Sequence, residues 1–504
     1  MIEHTARARW SALDHKRQGL ISRCERYAEL TIPSICPPDN YDDQSDEMRH
    51  DLQSIGSQLT NNLINKMMLA MFAPSRPFMR IELPRQEKDA LLKELQIDDS
   101  MFREASALLE MDAVRKLDEI AARPKLYDLK AHLIVTGNAV RYMDGDVMRI
   151  IGIKDFVSRR NVKGEVVELM IKETVQIDEL PEEIQDIALA SNKDLQATVN
   201  YFRWWQFSKG MFHETQWLDD VVVGLEKYKG KYKREDMPAT HHVWRLVDKA
   251  SYGIGHVEDN VGDLEGLSQL TEAEVNGAIL ASEFRWLVNP GGQTRVDDMK
   301  NSVNGDALPG QEGDVALVSA GPVAQTIAIV SQSADKYVRR LGAAFVLSAG
   351  VQRDAERVTA EEIRLLANEL ETSLGGIYSR LALDLQLPLA YWLMGKIDDQ
   401  IFKGTDFKPV IVTGLDALSR NGDLENVQLF LQDVIQITNL PEPVLMFLKL
   451  DNIFSLLASG RNLKASDLVN TKSEVDATLQ QQQQQQMGQQ QELMATEAAV
   501  KKGM

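Results

Sequence analysis

The sequence is poor in cysteine, in histidine and in long apolar runs, and each shortage removes a class of protein. Cys24 and Cys36 are the two cysteines in 504 residues, too few for a disulfide framework or a zinc finger and in keeping with a chain made in a reducing cytoplasm. The one adjacent pair among its eight histidines, His241-His242, falls in a stretch read as strand, where neighbours point to opposite faces and do not share an ion. The longest apolar run, MMLAMFA, is far short of the ~20 residues that span a bilayer. MIEHTARARWSALDH at the start lacks the apolar stretch of a secretory leader. No membrane span is expected.

Phosphate-cradling and catalytic signatures are missing as well. No G-x-x-x-x-G-K-[ST] occurs, and PGGQTR and NGDALPGQEGD lack the lysine and the helix start of such a cradle. In a chain with 75 acidic residues, carboxylate doublets say nothing about acid–base work. We therefore expect no enzyme, no catalytic residue, no metal and no cofactor. The balance of 75 acidic against 56 basic residues, net −19, also argues against a broad nucleic-acid-clasping face, so a DNA partner would be touched locally or allowed to slide.

With 44% hydrophobic and 26% charged residues, the chain has the composition of an ordered protein. Trp10, Leu13, Leu20, Ile21, Cys24 and Tyr27 recur at helical spacing as far as TIPSICPP. Leu52, Ile55, Leu59, Leu63, Met67 and Met71 mark a second helix, with Met67, Met68 and Met71 as adaptable core. A third helix is expected from about 87 to 122, closed by Pro124. KLYDLKAHLIVTGNAVRYMDGD then reads as a helix running into a strand that turns at Asp144-Gly145.

Between 147 and 247 the period becomes that of strands. One hairpin is expected at Lys163-Gly164 and another at Gly230, within EKYKGKYKRE, whose lysines suit an edge strand. ELPEEIQDIALASNKD is read as a helix capping the sheet. The fold class is mainly α with an antiparallel β insertion, α+β.

Val257, Val261, Leu264, Leu267 and Leu270 begin a long helix that runs to Ser282. FRWLV, PGG, TRVDDMKNS with Thr294 as N-cap, and VALVSA then form a small αβ knob. Val323, Ile327, Val330, Ala334, Tyr337, Leu341 and Phe345 form a second long helix. Lys336, Arg339 and Arg340 on it would either face DNA or pair with acids. Next comes an unusually polar connection, Gln352, Arg353, Asp354, Glu356 and Arg357, before a capping box at Thr359 and Glu362. Ile363, Leu366, Leu370, Leu374, Ile377 and Leu381 continue a long helix bent at Gly375-Gly376. A small helical domain is expected from Pro409, and the glutamine-rich end is of low complexity.

AELTIPSICP, NNLINKMMLAMFAPSRPFMRIEL, IVTGNAVRY, YGIGHVEDNVGDLEGLSQLTEA, LVNPGG, VQRDAERVTAEEIRLLANELETSLGGIYSRLALDLQLPL and VTGLDALSRNGDLE together resemble the head-to-tail connectors, or portals, of short-tailed podoviruses over about 30–424. The C-terminal region departs from them in being shorter and richer in glutamine. The resemblance implies the portal fold: wing 1–250, stem helix 251–282, clip 283–322, second stem helix 323–348, tunnel loop 349–358, long bent wing helix 359–408, crown 409–478 and tail 479–504. It implies a ring of twelve at one capsid vertex of the virion, made in the host cytoplasm.

The partners so implied are double-stranded DNA in the channel, the terminase large subunit, a tail adaptor, capsid and scaffolding proteins and internal core proteins. Gln352, Arg353, Asp354 and Arg357 would form the DNA-channel loop. Glu258, Asp259, Asp263, Glu265, Glu272 and Glu274 would supply channel-wall acids, with Glu258, Asp263 and Glu265 foremost. The rival readings are another ring or scaffold component of a virion, or a DNA-processing enzyme, which would need a metal-binding acidic cluster.

Overall fold

The computed structural model describes residues 5–39, 41–42, 44–74, 76–82, 90–93, 99–190, 194–282, 284–319, 323–347, 360–397 and 410–414. Helices α1 (Ala6–Asp14) and α2 (Gln18–Leu30) are separated by a 3-10 turn at His15–Arg17, so the single N-terminal helix of the sequence reading is two. α3 (Ile55–Met71) and β1 (Met79–Glu82) follow, then α4 (Asp99–Glu119) and α5 (Ala122–Thr136). Pro124 does not close a helix. It sits in the first turn of α5, where an N–H has no intrahelical acceptor and its loss costs little.

Next come β2 (Asn138–Asp144), β3 (Val147–Ile151), β4 (Phe156–Arg160), β5 (Val166–Gln176), α6 (Glu182–Leu189), β6 (Thr198–Ser208), β7 (Met211–Leu218), β8 (Val221–Val222) and β9 (Lys231–Tyr232). After β10 (Ala239–Val243), β11 (Arg245–Leu246) and β12 (Gly253–Ile254) the chain enters α7 (His256–Ser282). Then come β13 (Phe284–Val288), α8 (Val296–Asn301), β14 (Val315–Ser319) and α9 (Val323–Ala344). The described chain ends with α10 (Ala360–Ser373), α11 (Ile377–Leu381), α12 (Leu387–Met394) and β15 (Val410–Thr413). The architecture is α+β.

Two compact units divide the chain, one of Met1–Lys66 with Pro124–Val351 and one of Met67–Arg123 with Gln352–Met504. In the first, β4-β5-β6-β7-β8 form an antiparallel sheet, and β10-β2-β3 form another. The hairpins turn where expected, at Gly145 and Gly164, both with positive φ. The one expected at Gly230 does not form. β8 pairs with Trp217–Leu218 and β9 with Phe212–His213, so both lie along β7 and not along each other.

α6 caps one end of the larger sheet by burying Ile184 and Ala188 against Val199, Tyr201 and Leu218. α1 covers another part, with Trp10 against Val157, Met170, Phe202 and Trp204. α7 and α9 pack side by side, and two glycines of α7 let them approach. A Cβ on Gly266 would stand 3.0 Å from the Tyr337 ring, and one on Gly277 would stand 3.1 Å from Ile327.

Between α7 and α9, β13 and β14 pair antiparallel, Trp286 opposite Leu317. Thr294 is not the cap of α8. Arg295 holds that position without a side-chain bond, and the Thr294 hydroxyl donates to Pro309 O at 3.1 Å.

In the second unit, β1 pairs antiparallel with β15, Met79 opposite Thr413. That strand replaces helix at the start of the region read as helical from Pro409. Ile81, Leu91, Phe102 and Leu109 form a core under Met394 and Ile397. The expected long bent helix is broken outright. Gly375 (φ 64°) and Gly376 (φ 85°) both lie in the left-handed region and separate α10 from α11. A π turn at Ala382–Gln386 then joins α11 to α12, its Gln386 amide donating to Met71 O at 2.7 Å.

Candidate functional site

The α7–α9 hairpin carries the candidate acids, and its two halves differ. In the inner half Val257, Leu264 and Leu267 are buried, and the acids are paired within the chain. Glu258 lies 3.6 Å from Arg23 and Glu265 lies 3.4 Å from Arg26, both arginines of α2. Asp263 meets Arg340 of α9 at 2.6 Å, and Asp259 meets Arg245 at 2.5 Å. All four pairs are at least partly exposed, so each is worth up to ~1 kcal/mol. Each pair places a cation beside the acid and so offsets its negative field. Glu272 and Glu274, further along α7, form no ion pair with any described residue.

The outer half shows apolar surface. Val275, Ile279 and Leu280 of α7, Ile329 of α9, and Trp286, Leu287 and Leu317 of the β13–β14 ribbon are each more than half exposed. Gly277 faces α9, and positions two residues away lie about 200° around a helix. Val275 and Ile279 therefore point away from α9, and nothing described covers them. Val275 and Ile279 lie beyond the stripe that ends at Leu270, and their spacing by four is the sequence signal of this second apolar face.

Of the α9 cations, Arg340 takes the acid-pairing role through Asp263 and also lies over the Tyr337 ring at 5.2 Å. Lys336 and Arg339 are exposed. Gln352, Arg353, Asp354 and Arg357, with Glu356 and Thr359, lie outside the described residues, as do 415–504. His241 and His242 are both buried on β10. His241 packs on Phe156, ring centroids 4.8 Å apart, and its Nε2 is 3.3 Å from Asn138 Oδ1. Burial and then nearby guanidiniums push both imidazoles well below the usual histidine range.

Burial raises both cysteine thiols, Cys36 to about 12. Among the described residues no group of three or more His, Cys, Asp or Glu is placed to hold a metal ion, and no helix is long and apolar enough to cross a membrane. Two of the four lysines of EKYKGKYKRE pair with acids, Lys227 with Glu183 at 3.2 Å and Lys229 with Glu226 at 2.7 Å.

An exposed helical hairpin with an uncovered apolar outer half describes a protein that assembles through its surface. Residues 3–461 match the family model of bacteriophage head to tail connecting protein, and the chain belongs to that family. It is 29% identical to the portal protein of Enterobacteria phage SP6, over 98% of this chain and 94% of that one. It is 33% identical to the portal protein of Pseudomonas phage phiKMV, over 84% of each. A chain from the virion of a native gene transfer agent particle is similar at a TM-score of 0.33 and 12% identity, over 76% of this chain and 99% of that one. So slight a likeness adds nothing to the assignment. The family and its curated relatives are structural, not catalytic.

Proposed function

We propose that the protein is the portal of a short-tailed phage, a ring of twelve at one capsid vertex of the virion, through which DNA is packaged and later ejected. The observation that carries this reading is the family match along nearly the whole chain, residues 3–461, together with curated relatives that are portal proteins. In this reading α7 and α9 are the stem, 283–322 the clip, 349–358 the tunnel loop, 1–250 and 359–408 the wing and 409–478 the crown. The clip docks the terminase large subunit and then the tail adaptor, and the wing and crown meet capsid, scaffolding and internal core proteins.

Physical chemistry supports the ring. The uncovered faces of α7, α9 and β13–β14 need a partner, and a closed cyclic ring supplies one to every copy through a single heterologous contact. Twelve copies at −19 give a formal −228, a field in which phosphates slide without sticking. Since Glu258, Asp263 and Glu265 are locally paired, Glu272 and Glu274 are the better channel-wall acids of α7. Gln352, Arg353, Asp354 and Arg357 form the channel loop, whose two arginines touch phosphates briefly. Negative-stain microscopy of the purified chain tests the assembly: twelve-fold rings are expected, and monomers at every concentration would overturn it.

A further inference from the structure

We propose that a concave pocket under α1 binds an acidic polypeptide segment. The pocket lies within the first unit, between α1, the turn after it, β5 and β6, and its volume is about 420 Å³, within the ~300–1,000 Å³ range of ligand sites. Arg7, His15 and Lys172 line it, with Asn200 and Gln18 as neutral hydrogen-bonding groups. Two cations, Arg7 and Lys172, around one concavity are a local exception on a chain of net charge −19, and low-dielectric walls concentrate their field.

The details select the ligand. Lys172 forms no ion pair with any described residue, although Asp155 lies within its electrostatic reach. Its ammonium stands 5.3 Å from the Trp10 ring centre, which holds it at the pocket. Arg7 is bound only loosely, 3.6 Å from Asp220 with both side chains more than half exposed, so it exchanges readily. The acid that lines the pocket, Asp14, is already satisfied. One oxygen accepts from Arg17 at 2.9 Å and the other from Gln18 at 2.9 Å. Carboxylates arriving from outside therefore meet the Lys172 ammonium, a readily exchanged Arg7 guanidinium and little repulsion.

Nucleic acid fits worse. The floor aromatics, Trp10 at 7% and Phe202 at 1% exposure, offer no ring face on which a base can stack. Duplex phosphates lie on a convex rod at regular spacing and are met by cations in a row, not by cations around a hollow. An extended chain carrying glutamates or aspartates can place a side chain inside. This inference is independent of the portal reading.

Isothermal titration of the full chain with a blocked hexaglutamate peptide tests the site, with inorganic phosphate and a short DNA duplex as comparators. Saturable binding at one peptide per chain is expected, at least tenfold weaker in Lys172→Met and in Arg7→Met and unchanged in Arg339→Met, which lies outside the pocket. Arg7 is exposed, so its variant keeps the fold even if Lys172→Met does not, as circular dichroism will show. No binding, or binding unaffected by Arg7→Met, would overturn the site. Phosphate binding as tightly as the peptide, or the duplex displacing it, would overturn the choice of ligand.

Discussion

Glu168 is 2% exposed, yet it holds groups from three elements, α1, β4 and β6. Arg9 of α1 donates to both its oxygens at 2.9 and 2.6 Å, Arg159 of β4 donates at 2.9 Å, and the Trp204 indole donates at 3.1 Å. Burial pushes this carboxyl up, but the two guanidiniums outweigh it and hold Glu168 below the usual glutamate range. Glu168→Ala removes the acceptor of the partly exposed Arg9 and Arg159 guanidiniums and leaves the buried Trp204 indole N–H unpaired, and a loss of about 1–3 kcal/mol is expected in denaturant unfolding. The sign of the pH effect follows from the depressed value. The stabilisation is whole above the unfolded-state value of about 4.3 and falls away as pH drops through the lower folded one. Unfolding midpoints of the wild type should fall more steeply than those of Glu168→Gln below about pH 4.3, and parallel profiles would remove Glu168 from that role.

The Arg159–Glu168 pair lies across the hairpin expected at Lys163-Gly164 and was legible in the sequence, but the Arg9 contact was not, because Arg9 and Glu168 are 159 residues apart. The same limit applies to the acids of α7. Their presence on a helix could be read directly, but their neutralisation by arginines up to 239 residues away could not.

At the scale of elements, periodicity found α3, α5, α7, α9 and the hairpins at Gly145 and Gly164, since helix and strand periods are local. It failed where a long-range partner decides. Val410–Thr413 becomes a strand because β1 offers an edge, and β8 and β9 settle along β7. The junction from α5 to β2 shows a local rule acting with a tertiary one. Gly137 has φ 76°, and a Cβ there would stand 2.4 Å from the Ile254 carbonyl carbon. Its own carbonyl accepts from Trp244 N at 3.0 Å. Gly137→Ala combines left-handed strain of about 1–2 kcal/mol with a backbone clash that cannot relax through a side chain. A total loss of about 3 kcal/mol or more is expected, read as a lower melting temperature. Gly145→Ala is the control, since it shares the positive φ but has nothing within 4 Å of its added Cβ, and it should lose about 1–2 kcal/mol at most.

The whole molecule poses a different problem, because the proposed ring assigns functions that only many copies together can perform. The polar stretch from Gln352 to Arg357 is one case. If twelve such loops surround DNA, Arg353→Ala with Arg357→Ala should leave rings intact by microscopy while lowering the DNA packaged or retained per particle. Unchanged packaging would remove the loop from the channel.

The apolar outer half of the α7–α9 hairpin is the other case, and there the prediction separates assembly from folding. Val275 and Ile279 point away from α9 and are about half exposed, so a charge at either position can reach solvent within its own chain. Ile279→Asp should therefore change unfolding free energy by no more than about 0.5 kcal/mol. If the outer face is the contact between copies, the same residue is buried against a neighbour in the ring, and losing an isoleucine there removes up to about 1.5–3 kcal/mol per interface, which is about tenfold or more in each association constant. Mass photometry across a dilution series should show rings giving way to monomers at a concentration at least tenfold higher than for the wild type. The inner-half variant Leu264→Ala, buried within the chain, should behave oppositely. It should lose about 2–5 kcal/mol of chain stability before any change in assembly per folded chain. If Ile279→Asp formed rings at wild-type concentrations, the outer apolar face would not be an interface between copies.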